Sequence, residues 1–259
     1  MPRGVSLYDE ARLQQRLWTP GLDVIRTGLW LNANTRITVV SGAVSQWNDT
    51  GDKWSFTQSN ASLRPLYSST GWNGTPAVNV TAANQVLVGT ATFTPLVGAS
   101  GFTTFALARH TATGWLWEQG NVTPGARHGF AIISNTLYGV INAEATTGAI
   151  PAATNNLLVW RFDGAAATKS TLRLNGANLA SGGITATATT TNAGALNIGF
   201  GVDPNTFLGF MPELMILPYA ADDALIQKIE GFLAWQGGQR FQSLSASHPF
   251  ANRPPLIGD

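Results

Sequence analysis

Cysteine is absent from the 259 residues. That excludes disulfides and thiolate metal sites, and it leaves reducing and oxidising compartments equally open. Charge is scarce: 11% of residues are Asp, Glu, Lys or Arg, against about a quarter in an average soluble protein. Lysine stands only at Lys53, Lys169 and Lys228. With a net charge of +1 the chain carries no polyanion-binding footprint, so nucleic acid is not an expected partner. No apolar run approaches the roughly 20 residues that span a bilayer, so no membrane insertion is expected. The opening MPRGVSLYDEARLQQRLW has no apolar stretch of the signal-peptide kind, which points to synthesis in the cytoplasm without secretion by a signal. Five N-x-[ST] sequons, at Asn48, Asn60, Asn73, Asn79 and Asn121, read as by-products of an Asn- and Thr-rich composition.

Thr, Gly, Asn and short apolar runs fill the space that charge leaves. Thr favours strands, while Gly and Asn favour turns. Strand patterns occur at 28–32, 36–40, 44–47, 85–88, 102–108, 114–118, 130–133, 136–141, 157–162, 170–174, 178–180, 195–199, 207–210 and 213–217. Ser41-Gly42, Ser134-Asn135 and above all Asn175-Gly176 carry hairpin-turn chemistry. Short strands at this spacing, with no helices between them, predict an all-β sandwich of antiparallel sheets. One late segment differs. Leu225, Ile226, Ile229, Phe232, Leu233 and Trp235 fall at helical spacing behind Asp222-Asp223 and ahead of Gly237-Gly238, predicting a helix over 222–236. The proline-rich tail, 239–259, is expected to be extended. Residues 6–18 have a helical face of Leu13, Leu17 and Trp18. Residues 1–24 therefore form either a short helix packed on its own domain or an arm that anchors to a partner chain, with the sandwich occupying 25–259.

Several of these segments resemble one family. Trp30-Leu-Asn-Ala33, Val44-Ser-Gln-Trp-Asn-Asp49, Asn73-Gly-Thr-Pro76, Ile229-Glu-Gly-Phe-Leu-Ala-Trp235 and His248-Pro-Phe250 resemble motifs of laminin-G-like, concanavalin-A-like lectin/glucanase domains in bacteriophage virion proteins. The helix and tail carry most of the likeness. The loop Trp47-Asn-Asp-Thr-Gly-Asp-Lys53 departs from the family's W-x-D-x-S-G-N-G pattern. The resemblance implies a jelly roll of two antiparallel sheets with one C-terminal helix. It also implies a structural place in the virion, as capsid decoration or as part of a tail, baseplate or fibre. Other virion proteins are then the expected partners, in a symmetric homo-oligomer. The alternatives are a carbohydrate-binding module that attaches to a host-surface glycan, and a glycan-degrading enzyme.

The residues themselves favour binding or building over catalysis. Glycoside hydrolysis needs two carboxyls flanking one bond. Among the 14 acids, only Asp9/Glu10, Asp49/Asp52 and Asp222/Asp223 are close in sequence, and the first and last pairs suit helix starts. Glu118 and Glu213 sit on predicted strands without an acidic neighbour, leaving only a pair assembled across strands. His110, His128 and His248 lack metal-ligand spacing, and no nucleophile or nucleotide motif occurs. Asp49 and Asp52, with Asn48, could hold calcium through oxygen ligands, or simply build an Asx-rich turn. For sugar stacking the candidates are Trp54, Trp115 and Trp117. The last two alternate on one strand and are expected to share a face. Trp30, Trp47, Trp160 and Trp235 are assigned to the core.

Overall fold

The computed structural model describes residues 17–21, 28–120, 126–191, 194–199, 206–236 and 243–259. Within them the chain forms β1 (Leu29–Asn32), β2 (Ile37–Val40), β3 (Ala43–Asn48), β4 (Ser55–Thr57), β5 (Leu66–Trp72), β6 (Thr75–Val80) and β7 (Leu87–Thr92). Then follow β8 (Gly101–Ala112), β9 (Gly114–Gly120), β10 (Arg127–Ile133), β11 (Thr136–Ile141), β12 (Glu144–Ala149), β13 (Asn156–Asp163), β14 (Ser170–Leu174) and β15 (Ala177–Ser181). The last elements are β16 (Ala195–Ile198), β17 (Leu208–Leu217) and one helix, α1 (Asp223–Ala234).

All ladders between these strands are antiparallel, and they form two layers. The first runs β15–β14–β13–β8–β17, with β1 and then β6 and β5 beyond β17. The second runs β12–β11–β10–β9–β16–β7–β4–β3–β2. A single pairing, Ala43 with Leu66, joins the layers at one edge. The chain is the expected all-β sandwich with one late helix.

Turn chemistry sets the register. Ser41-Gly42, Asn73-Gly74, Ser134-Asn135 and Asn175-Gly176 all hold both residues at positive φ, as type I′ hairpins require. The strands β4, β5, β6 and β12 lie outside the expected set. Their segments are rich in Ser, Thr, Gly and Asn, so they lack the apolar alternation that marks a half-buried strand. The two short runs expected at 207–210 and 213–217 are one strand, β17, continuous through Pro212.

Alternation along the first layer divides its residues between two cores. Phe102, Ala106, Leu158, Trp160, Phe162, Leu214 and Ile216 face the second layer. Their neighbours Phe105, Leu107, Leu157, Val159, Met215 and Leu217 face the other way, under α1. A sheet buried on both faces reads as a continuous apolar run, which is how β8, β13 and β17 read. At the centre, Trp160 stacks on Trp117 and Phe130 from the opposite layer, with ring centroids 6.0 Å apart in both cases. Gly139 permits this approach, because a Cβ there would lie 2.4 Å from the Trp160 ring.

Asp222 caps α1 by accepting from the Leu225 N–H at 2.8 Å. The helix is held down by a buried cluster. Arg173 on β14 donates Nε to Glu230 Oε1 and a terminal N–H to Oε2, both at 2.9 Å. Its other donors go to Asn178 Oδ1 and the Gly176 carbonyl. His248 Nδ1 accepts from the Phe250 N–H at 3.2 Å, so Nε2 carries the ring proton and donates to Glu230 Oε2 at 3.1 Å. Phe250 packs on Gly231, where a Cβ would come within 2.7 Å of it, and the Phe250 carbonyl accepts from Trp235 Nε1 at 2.9 Å.

The tail departs from expectation. Prolines do keep helix out of residues 243–259, but this segment folds as successive turns rather than extending. Proline fixes φ and leaves ψ free, and Pro249 takes the second position of a turn closed by the Ala251 N–H on the His248 carbonyl, at 3.0 Å. Most of the expected 6–18 helix lies outside the described residues. Its last residues are not helical: Leu17 bridges Leu256, and Trp18 packs edge-on to Phe232 with Lys228 Nζ over its ring. Gly237-Gly238, the expected helix stop, also lies outside the described residues.

Removing one member of a buried ion pair leaves the other uncompensated, at about 3–5 kcal/mol. Glu230→Ala is therefore expected to lower chemical-denaturation stability by about that amount. Replacing Arg173, Glu230 and His248 together by apolar residues of similar volume should restore most of it. His128 gives a second prediction. It is fully buried, and burial pushes its pKa down from 6.5 to about 3. The unfolded chain takes up this proton first, so the contribution is complete above pH 6.5 and is lost as pH falls towards 3. Denaturation midpoints measured across that window should fall less steeply for His128→Leu.

Candidate functional site

β17 changes partner halfway along. Gly209–Met211 pair with β6, and Glu213–Ile216 pair with β1. Pro212 stands at the change, with no N–H to offer a ladder, and its carbonyl accepts from Ala33 N–H at 2.9 Å. Between the end of β1 and the β5–β6 hairpin a gap is left. It opens as a cavity of about 240 Å3 lined by Asn34, Trp72, Thr75, Leu107, Pro212, Glu213 and Gln236.

Glu213 is 2% exposed. Its Oε1 accepts from Trp30 Nε1 and from Asn32 Nδ2 at 3.3 Å. Its Oε2 accepts from Gln236 Nε2, just past the end of α1. Asn32 is its cross-strand partner. Burial raises the carboxyl pKa from 4.5 to about 7, and the hydrogen bonds from Gln236, Trp30 and Asn32 oppose this only in part. Trp72, which also lines the cavity, is 1% exposed, and its buried Nε1–H has no hydrogen-bond partner. Such an orphan is rare for a buried donor.

The predicted residues fall elsewhere. Trp117 is fully buried in the central stack, and Trp115 is 2% exposed, so neither offers a ring face to solvent. Nor do they share a face. A β-bulge sets Trp117 opposite Phe130 but Trp115 opposite Ala131, the next residue. Trp117 therefore joins the inter-layer core and Trp115 the outer cluster with Ala131 and Val140. Trp54 is half-buried, donating to the Gly28 carbonyl at 3.0 Å and meeting Phe93 edge-on. Of the tryptophans assigned to the core, Trp47 and Trp160 are buried completely. Trp30 and Trp235 are half-buried against the helix-side cluster.

Asp49 turns inward. Its carboxylate accepts backbone N–H groups from Trp30 (2.7 Å), Gly51 (3.0 Å) and Lys53 (3.4 Å). Burial raises its pKa against those bonds. Asp52 is instead exposed and paired with Arg36. The two carboxylates thus serve different partners, in an Asx-turn arrangement. No grouping of three or more His, Asp or Glu suited to a metal occurs among the described residues.

Glu118 and Glu213 lie on opposite faces of the sandwich. Glu118 is on β9 opposite Gly129, in an ion pair with Arg127 at 3.3 Å. That guanidinium also lies over Trp115. Two packed layers about 10 Å apart separate these acids, too far to flank one bond. The cavity itself escaped the sequence reading. Its one signal was a lone Glu amid the apolar run Leu208–Leu217.

No protein-family profile matches the chain, and no curated protein sequence does. Solved structures resemble it in fold. Trypanosoma rangeli sialidase in complex with the inhibitor DANA superposes with a TM-score of 0.53 at 13% identity, over 77% of this chain and 31% of that one. The same sialidase with sialic acid gives 0.51 at 16% identity, over 78% and 32%. The Ruminococcus gnavus IT-sialidase CBM40 bound to α2,3-sialyllactose gives 0.46 at 12% identity, over 57% and 92%. The chain spans about a third of the sialidase's length. At such identities the sialidase likeness shows a shared β fold and nothing finer.

The raised pKa of Glu213 gives a signed prediction. Its folded value lies above its unfolded one, so its contribution is full below about pH 4.5 and is lost as pH rises through about 7. Relative to the native chain, Glu213→Gln should gain on the order of 3 kcal/mol in unfolding free energy between pH 4 and pH 8. Denaturant titrations at the two pH values measure it.

Proposed function

We propose that this chain is a structural protein of a bacteriophage particle, its lectin-like sandwich decorating the capsid or forming part of the tail, baseplate or fibre. The observation that carries the reading is the buried junction of Glu230, Arg173 and His248. The helix and tail that resemble the phage family are the segments this junction fastens to the sheet. Gly231, Trp235 and Phe250 of the same motifs close it, so the resemblance rests on residues that act together. The separation of Glu118 from Glu213 supports a non-catalytic role. A carbohydrate-binding role at the host surface is the second reading. Its support is the fold together with the Glu213 cavity, and not Trp54, Trp115 and Trp117.

Particles banded on a density gradient from a producing culture are expected to carry the chain in a fixed copy number, by quantitative mass spectrometry. A chain found only in the soluble fraction, with banded particles lacking it, overturns the reading.

A further inference from the structure

The first half of α1 and the tail leave a groove between them, with a volume of about 400 Å3. Ala224, Leu225, Pro249 and Phe250 supply its apolar wall, and Asp222, Lys228 and Asp259 its charges. Leu17 and Trp18 stand next to it. The Trp18 N–H donates to the Pro255 carbonyl at 3.0 Å, and Leu17 bridges Leu256 in the antiparallel sense. Lys228 Nζ lies 5.0 Å from the Trp18 ring centroid and donates to the Asp259 carbonyl at 2.8 Å, so one side chain separates Trp18 from the groove. Leu17 and Ile257 remain 47% and 62% exposed, an apolar margin that the described residues leave uncovered.

Residues 1–16 lie outside the described residues, and direction, reach and charge bear on where they can go. An antiparallel bridge sends the chain before Leu17 the way the tail goes after Leu256, towards Asp259 at the groove. Trp18 packs on Phe232, and Leu225 stands two turns earlier on the same helix, about 10 Å back along its axis. The four residues from Leu17 back to Leu13 span up to about 13 Å, so Leu13 reaches Leu225. Asp9 and Glu10 suit Lys228. Asp259 is already paired with Arg253, which leaves Asp222 and Asp223 for Arg12 and Arg16. Exposed ion pairs add little, so the apolar contact is the anchor. A second copy's segment has the same chemistry, but the tether at Leu17 holds this one at an effective concentration in the millimolar range. We infer that the groove is the seat of the chain's own N-terminal segment, with Leu13 set against Leu225 and Phe250. Of the two uses open to residues 1–24, the surface then selects packing on their own domain, and a particle contact is made by another face. The inference is independent of the particle and sugar readings, since either can hold with the segment seated.

The absence of cysteine makes the test direct. The full chain carrying Leu13→Cys and Leu225→Cys is oxidised at micromolar concentration, far below the tethered effective concentration. It is expected to form a disulfide within one chain, read as a monomer of raised mobility on a non-reducing gel and by intact mass. Leu13→Cys with Thr90→Cys, whose second position is exposed on β7 in the other layer, should form none. In chains with Leu225→Cys alone, adding Leu13→Asp should speed alkylation of the thiol by about tenfold or more, as undocking one buried leucine would. Thermal melts establish that each variant folds. If Leu225→Cys does not, Ala224→Cys, exposed beside it, takes its place. A disulfide between two chains overturns the inference, because it gives the groove to a second copy. No disulfide, equal disulfide with Thr90→Cys, or alkylation unmoved by Leu13→Asp overturns it as well.

Discussion

The Glu230 carboxylate is the point at which three distant pieces of chain meet. It joins α1 to the β14–β15 hairpin through Arg173 and to the tail through His248. All three side chains are buried or nearly so, which places the cluster where geometry must be good for attraction to exceed desolvation. It is good: the guanidinium makes a two-pronged contact and spends its remaining donors on Asn178 and Gly176. Gly176 is constrained twice, by φ of +80° and by the His248 ring, 2.6 Å from where its Cβ would stand. The turn that sets the hairpin register is thus also the surface on which the tail docks. The junction adds a polar anchor to α1, whose Ile226, Ile229 and Leu233 already cover the outer face of β8, β13 and β17.

That cover explains why the cavity lies where it does. A sheet packed on both faces has few places for a polar ligand, because its side chains are committed to one core or the other. Openings arise where the ladder is interrupted. Pro212 supplies one by ending the pairing with β6 one residue before that with β1 begins. A carboxyl in the resulting gap is buried by the sheet but not packed against by it. The end of α1, positioned by Glu230, brings Gln236 to the carboxyl from above. The site is therefore linked to the junction through one helix.

The parts of the fold that local chemistry dictates were legible in the sequence. Asn175-Gly176 demanded a turn because both residues accept positive φ, and Asp222 with the 3.6-residue spacing behind it demanded a capped helix. Strands β5, β6 and β12 were not legible, since their Ser, Thr and Gly residues are placed by neighbours and not by their own alternation. Trp115 and Trp117 show the same limit more sharply. Strict alternation puts them on one face, and a bulge, which no local residue announces, puts them on two. The cavity was least legible of all. Its walls come from positions as far apart as Asn34 and Gln236, and Glu213 was visible only as an acid out of place.

A lone carboxyl with a pKa near 7 has the character of a general acid, so its surroundings must decide what it favours. Hydrolysis of a glycosidic bond needs a second carboxyl about 5–10 Å away, and among the described residues lining the cavity Glu213 is the sole acid. A proton donor must also be free to swing its proton towards the substrate. Glu213 is instead held by three neutral N–H donors, two on β1 and one just past the end of α1, all of which favour a carboxyl that accepts. A group fixed by three acceptances is held in place by its neighbours. It matches Glu230, whose carboxylate is likewise spent on fastening parts of the chain together.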